Sequence, residues 1–216
     1  MPINSIPTRG RTLDYAAGVY DFFESILLLG KQTEYDQEIV RLLDLKPSDK
    51  VLDLGCGTGV LCKMIGDQLD AQSGGSVTGI DAAGKMIAVA RKKRGAANIR
   101  FEAMAAENLG FENERFDAVV SSLFFHHVPL DLKEKALSEA YRVLKPGGRL
   151  VIADMHRPTT RMGAIVSHIS RWFFMQPQIA ENIRGVLPQL IASAGFARPS
   201  IETMYFGYIA VFTSSK

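Results

Sequence analysis

Three glycines at two-residue spacing, Gly55, Gly57 and Gly59, follow directly on an apolar run, Val51-Leu52-Asp53-Leu54, and precede a helical pattern. Glycine has no Cβ, so a turn built from it can touch a ligand and adopt positive φ. The helix that follows offers N–H groups without intrahelical partners. Two carboxylates bracket the turn: Asp53 just before it, and Asp81 at the end of the next apolar run, Ser76–Ile80. An acid in that second position can accept both hydroxyls of a ribose. A dinucleotide loop has the spacing G-x-G-x-x-G. Here the spacing is G-x-G-x-G, and Val60 stands where the last glycine would be. No G-x-x-x-x-G-K-[ST] loop for a nucleoside triphosphate occurs, and Asp53 would repel a pyrophosphate. The same carboxylate suits an ammonium or an ordered water beside one. A ligand with a ribose, a positive charge and no phosphate answers this combination, and S-adenosylmethionine (SAM) is such a ligand.

Further residues with chemical capacity lie later in the chain. His126 and His127 follow the apolar run Phe116–Ser121. One reading sets one of them beside the reacting atoms, as a base or as an orienter of substrate. The plainer reading has them packing or capping the next helix. Alternation along the run sends one of the pair to the core and favours His127 for the site. His156 and His168 show no ligand spacing and no Cys or acidic cluster joins them, so no metal site is expected. Asp154 either orients a substrate or, the favoured reading, caps the next segment. Cys56 has no base near it in sequence and reads as a small packing residue. The run Arg91-Lys92-Lys93-Arg94 reads as a solvated helix end that complements the helix dipole. Arg157, Arg161, His168 and Arg171 stand among Trp172-Phe173-Phe174-Met175. This segment reads as a substrate lid with apolar walls and cationic guides. A membrane-surface helix, a sheet-edge cover or a dimer contact are the alternatives.

The hydrophobic pattern supplies the frame for these residues. Short apolar runs at Lys50–Leu54, Ser76–Ile80, Ile99–Ala103, Phe116–Ser121 and Arg149–Ala153 alternate with helical patterns at Val60–Leu69, Gly84–Arg94 and Asp131–Leu144. Such repetition predicts an α/β fold with a parallel sheet covered on both faces. Asp131 and Glu134 read as a capping box. Lys145-Pro146-Gly147-Gly148 stops the helix, because proline cannot continue it and glycine permits left-handed geometry. Helices are predicted over Gly163–Met175 and over Ile179–Ala194, the latter ended by Gly195. Ser200–Tyr205 and Tyr208–Thr213 flank Gly207 as a closing hairpin.

The 216 residues carry a formal net charge of +2 and two cysteines. That length suits one domain, 1–216, with a helical cap over 1–45 and a lid insertion over 155–180. The small charge gives no bulk attraction to nucleic acid. Two cysteines close together around a glycine turn make no disulfide framework, which points to a reducing, cytoplasmic setting. The first residues have no apolar core of a secretion signal, and no uncharged run approaches the roughly 20 residues of a membrane span.

With these residues in order, the chain resembles the class I SAM-dependent methyltransferases over roughly Tyr20 to Gly195. The run VLDLGCGTG is similar to the family's first motif, Gly79-Ile80-Asp81 to its ribose-binding acid, and FDAVVS to its fourth-strand motif. Leu144-Lys145-Pro146-Gly147-Gly148-Arg149-Leu150 resembles the turn before its fifth strand. Tyr20-Asp21-Phe22-Phe23, Gly30-Lys31 and His126-His127-Val128-Pro129 resemble the ubiquinone/menaquinone-biosynthesis C-methyltransferases and related small-molecule enzymes. The resemblance implies a three-layer, Rossmann-like, doubly wound sheet of seven strands with the last antiparallel. It implies that Asp53, Gly55, Gly57 and Gly59 hold the methionine part of SAM, with Tyr20 and Lys31 near its end. Asp81 would hold the ribose, Ala82, Met86, Ala106 and Glu107 would line the adenine, and Ser122 and Leu123 would border the sulfonium. One departure concerns adenine. Where the family commonly has Gly-Asp-Ala-Glu, this chain has Met104-Ala105-Ala106-Glu107, so the backbone of Ala106 and the side chain of Glu107 must stand in for the missing acid.

The implied activity is methyl transfer to a small, apolar or aromatic molecule by in-line displacement. The leaving group is neutral and already activated, so alignment and exclusion of water are the enzyme's main tasks and no metal is required. His127, or His126, would act on the acceptor if it must lose a proton. Other readings are a dinucleotide oxidoreductase, a SAM-binding module without catalysis, and methylation of a lipid or nucleic-acid acceptor. The Ser121-Ser122-Leu123-Phe124 sequence lacks the Asn/Asp-Pro-Pro-Tyr/Phe motif of many nucleic-acid enzymes. The expected partner is a small-molecule acceptor, with no nucleic acid, with peripheral membrane contact as an option, in a monomer or homodimer.

Overall fold

The computed structural model describes residues 3–12, 14–16, 30–173 and 178–216. Seven strands form one sheet: β1 (Lys50–Leu54), β2 (Ser76–Asp81), β3 (Ile99–Ala103), β4 (Phe116–Ser122), β5 (Leu144–Met155), β6 (Ser200–Tyr205) and β7 (Ile209–Ser215). Their order is β3-β2-β1-β4-β5-β7-β6. Neighbouring strands among the first five run parallel, and β7 lies antiparallel between β5 and β6. The α/β, seven-stranded architecture with an antiparallel final strand is therefore as the sequence leads one to expect.

Alternation along each strand divides the core between two faces. Val51, Val77, Val120, Val151 and Val211 join one cluster, with Tyr35, Ile39, Ile65 and Ile87. Their neighbours Leu52, Val119, Ile152 and Phe212 join the other, with Leu137, Ala140, Leu187 and Ile191. Helices α1 (Gln32–Leu43), α2 (Val60–Gly66) and α3 (Gly84–Arg94) feed the first layer. Helices α4 (Leu130–Val143) and α7 (Leu187–Ser193) feed the second. Strands buried on both faces are the reason these runs are nearly all apolar. Helices α5 (Arg161–Phe173) and α6 (Ile179–Arg184) lie between β5 and α7 in the chain. No helix among the described residues is long and apolar enough to cross a membrane.

Local details depart from the sequence reading. The helix after the glycine turn ends at Gly66 rather than Leu69. Asp131 and Glu134 form no capping box: the helix begins one residue earlier, Pro129 occupies the N-cap with no side-chain bond, and Asp131 instead pairs with Arg9. Lys145-Pro146-Gly147-Gly148 is not a turn outside the sheet but a bulge inside β5, where pairing jumps from Phe116↔Leu144 to Ala118↔Arg149. The helix expected over 179–194 is two helices. Gly185 closes α6 with φ 82°, and Pro188 stands in the first turn of α7. A continuous helix would drive the Pro188 ring into the Arg184 carbonyl. In the N-terminal segment, residues 3–12 are not helical, and a short 3₁₀ turn covers Asp14–Ala16. The helix expected over Gly163–Met175 spans Arg161–Phe173; Phe174 and Met175 lie outside the described residues.

Candidate active site

The glycine turn leaves β1 at the carboxyl edge of the sheet. Gly55, Gly57 and Gly59 have φ of 75°, 52° and 84°, a region side chains disfavour. A Cβ on Gly55 would lie 2.5 Å from the Phe124 ring. The Gly55 and Cys56 amides both donate to the Ile80 carbonyl at 2.9 Å, which ties the turn to β2. Asp81, at the end of β2, accepts the Gly57 N–H at 3.0 Å and the Ala83 N–H at 2.8 Å. Burial holds its carboxyl above the ordinary range, and these two amides pull it back.

Two clefts open on this edge, of about 620 and 380 Å³ including the solvent-open space at their mouths. Gly55 and Gly57 line both. The larger takes Asp81, Ala82, Met86, Ala106, Glu107, Leu123 and His127 from the candidate residues. The smaller takes Asp53 and Ser122. The consecutive residues Ser122 and Leu123 thus straddle the two, and Leu123 is held at φ 52°, a strained position for a branched side chain. Three candidates line neither cavity. Gly59 packs on Phe101, Lys31 is exposed beside Glu34 at 3.7 Å, and His126 is buried. Tyr20 lies outside the described residues.

The smaller cavity contains two residues that sequence reasoning missed, Gln32 and Asp36 from α1. Asp36 falls on the buried stripe of that helix with Tyr35, Ile39, Val40 and Leu43; an acid on an apolar stripe was the available signal. Burial pushes the Asp36 carboxyl up to about 6, opposed by the Gln32 Nε2 donor at 2.8 Å. Asp53 is pushed up to about 7, by burial first and then by Asp81 and Asp36, against the Cys62 thiol that donates to it at 3.1 Å. Gln32 Oε1 is buried and makes no hydrogen bond. Cys56 is pushed up to about 11 by burial. Its thiol is therefore protonated at neutral pH, which accords with a packing role.

The larger cavity was also incompletely read. Thr8, Gly10 and Arg11, from the irregular N-terminal segment, form part of its wall. The Thr8 hydroxyl donates to Glu107 Oε1 at 2.5 Å, and the Ile6 N–H donates to the Ala82 carbonyl at 2.8 Å. Nothing in residues 3–12 marks them as a wall, because they have no periodicity.

Asp154, near the end of β5, is fully buried, and its Oδ1 accepts the N–H of the next residue, Met155, at 2.7 Å, but it does more than hold that segment. Oδ2 accepts the Phe125 N–H at 2.7 Å, and Oδ1 meets His126 Nδ1 at 2.9 Å and Asn182 Nδ2 at 3.1 Å. Lys133, buried in α4, reaches Glu181 and the Gln178 carbonyl and so fastens α6 over this cluster. Burial lowers the Lys133 pKa and Glu181 raises it again. His126 is thus a fixed member of a structural network, while its neighbour His127 faces the larger cavity.

Comparison with known proteins fits this geometry. Residues 51–148 match a family model described as a methyltransferase domain. A demethylmenaquinone methyltransferase of Thermus thermophilus is 36% identical over 217 residues, covering 91% of this chain and 96% of that protein. One from Paenarthrobacter aurescens is 30% identical, covering 94% and 84%. The chain belongs to the class I SAM-dependent methyltransferases of the ubiquinone/menaquinone-biosynthesis type. Among solved structures it is similar to Haemonchus contortus phosphoethanolamine N-methyltransferase 2 in complex with SAM, with a TM-score of 0.71, 18% identity, and 96% of this chain and 58% of that chain covered. A chain of the complex between the Haloferax volcanii Trm112 methyltransferase activator and a methyltransferase gives 0.70, 17%, and 97% and 99%. These two likenesses concern the fold.

The cofactor of such a methyltransferase is SAM, and the chemistry of both cavities suits it. Asp36, Asp53 and the unpartnered Gln32 Oε1 offer acceptors to an ammonium in the smaller one. A phosphate there would meet carboxylates. In the larger one Asp81 offers a carboxylate beside apolar Met86 and Ala106, as a ribose and a base require.

Proposed function

We propose that this methyltransferase acts on a small aromatic acceptor of the kind its relatives are named for, a demethylmenaquinone-like ring, by in-line transfer without a metal. The observation that carries the reading is the meeting of two chemically different cavities at Gly55 and Gly57. One is acidic and one is mostly apolar with a single diol acceptor, so a cofactor spanning both would present its sulfur beside Ser122 and Leu123.

In this reading Asp36, Asp53 and Gln32 hold the amino-acid end, Asp81 holds the ribose, and Ala82, Met86, Ala106 and Glu107 enclose the base. Glu107 already takes the Thr8 hydroxyl, so the N-terminal segment closes the base-binding side. Bound SAM supplies an activated methyl group. The chain aligns the acceptor carbon with it and keeps water out, which is where most of the rate comes from when the leaving group is neutral. Methylation of a ring carbon releases one proton, and in this reading an imidazole nitrogen of His127, in the wall of the larger cavity, receives it. An apolar acceptor of this kind resides in lipid, so the reading places a cytoplasmic enzyme, monomer or homodimer, in peripheral contact with a membrane.

The test is incubation of the purified full chain with methyl-labelled SAM and a reduced, non-methylated naphthoquinol. A product heavier by one methyl group on the ring supports the reading. SAM binding with no labelled naphthoquinol, and label found instead on a hydroxyl or amine acceptor, overturns it.

A further inference from the structure

We propose that the outward face of α5 docks on an anionic lipid bilayer. Over Arg161–Ile169 this helix turns large apolar side chains outward as well as packing inward. Its inner face is small: Gly163 and Ser167 are buried, and the Ser167 hydroxyl returns to the Gly163 carbonyl at 2.8 Å. Gly163 approaches the β6–β7 turn so closely that a Cβ would lie 2.7 Å from the Gly207 carbonyl oxygen. Val166 also packs against the core, whereas Met162, Ile165 and Ile169 of the same helix face solvent, 67%, 53% and 57% exposed. Spacings of three and four residues put these side chains on one stripe. A single exposed aliphatic residue is ordinary, but an aligned stripe of them marks a contact surface.

Charge selects the occupant. Residues 155–180 contain Arg157, Arg161 and Arg171 and no Asp or Glu. Arg157 and Arg161 are exposed, as is Arg184, whose carbonyl accepts from the Arg157 guanidinium at 3.2 Å. An apolar stripe flanked by arginines is the pattern of a helix lying in a headgroup layer, aliphatics down and guanidinium groups among the phosphates. A second copy of the chain is a poorer match, since a two-fold contact sets a patch against itself and would bring like charges together. The inference deepens the proposed function, because α5 follows β5, the strand that ends at Asp154 and Met155 beside the site. Its evidence is independent of the acceptor.

The experiment is co-sedimentation of the full chain with vesicles of phosphatidylcholine alone and with vesicles containing phosphatidylglycerol. Binding to the second should be at least roughly tenfold tighter and should weaken with salt. The pair Ile165→Asp and Ile169→Asp should abolish it while SAM binding by calorimetry stays unchanged, which shows that the variant is folded. Arg161→Glu, at an exposed position, should weaken it in a folded chain. Equal binding to both vesicle types, no binding, or unaltered binding of the double Asp variant overturns the proposal. So does a wild-type dimer in light scattering that the same variant dissolves, since the stripe would then belong to a second copy. Vesicle binding needs no turnover, so a failed methylation assay leaves this result standing on its own.

Discussion

The Asp81 carboxylate at the end of β2 accepts the N–H of Gly57, in the turn that leaves β1, at 3.0 Å. The acid assigned to the ribose therefore also fixes the turn assigned to the methionine end. Its second amide, from Ala83, ties it to the start of α3 at 2.8 Å. Asp81→Ala removes both functions at once. SAM affinity should fall by about 1–3 kcal/mol, with a smaller loss of stability from the two amides left without an acceptor. Calorimetry on the folded variant checks this, and unchanged affinity would assign the ribose elsewhere.

Proton linkage gives a second prediction. Burial pushes Asp36 up to about 6, and burial, then Asp81 and Asp36, push Asp53 up to about 7. A bound ammonium favours their ionised forms, so binding should expel protons. SAM affinity should therefore rise with pH, by up to about tenfold per pH unit per proton below roughly pH 6, and flatten above about pH 7. Folding of the free protein has the opposite sign. Between the ordinary value of 3.8 and these raised values the native state holds protons that the unfolded chain has released, so these groups lower stability as pH rises through that window. Titration calorimetry in buffers of different ionisation enthalpy reads the protons released; affinity flat from pH 5 to 8 would remove both acids from the ammonium site.

The two adjacent histidines should behave differently. His127 lines the larger cavity, whereas His126 is tied to Asp154 at 2.9 Å and buried. His127→Ala should lower turnover by about a hundredfold or more with little change in SAM affinity. Asp154→Ala should act on stability, costing about 1–3 kcal/mol, because the Phe125 N–H and the Asn182 amide lose their acceptor inside the fold. Turnover and thermal denaturation, measured on both variants, separate the roles, and a His127 variant with wild-type turnover would return that residue to packing.

How much of this was legible in the sequence follows from the range of the forces involved. The sheet was, because strands buried on both faces must be apolar and their ends must carry Gly or a turn. Asp53, Asp81 and the glycine turn were, since their chemistry is local: three positive φ values need glycine whatever surrounds them. Gln32 and Asp36 were not, although Asp36 interrupts an apolar stripe; only the tertiary position of α1 sets them facing Asp53. Pro188 was a legible break that periodicity alone passed over, since hydrophobic spacing continues across a helix stop. The N-terminal wall was illegible for a different reason. Its hydrogen bonds join residues far apart in sequence, Thr8 to Glu107 and Arg11 to His127.

That wall carries the last prediction. Thr8, Gly10 and Arg11 line the larger cavity, and the Arg11 N–H donates to the His127 carbonyl at 3.1 Å. The same segment also completes α3 from a distance: Ser5 Oγ accepts the Gly84 N–H at 3.0 Å, in place of a side-chain cap from Ala83, which has none to offer. Removing residues 1–11 should cost about 1 kcal/mol through the lost cap, a small effect on a sheet whose pairing they do not share. SAM dissociation should accelerate more, by roughly tenfold, because differences in affinity between related complexes reside mainly in the off-rate. Thr8→Val should give a fraction of that acceleration by freeing Glu107 of its hydroxyl partner. Stopped-flow displacement of SAM reads both variants against the full chain, and a truncated protein that releases SAM at the full-length rate would leave the segment a role in stability alone.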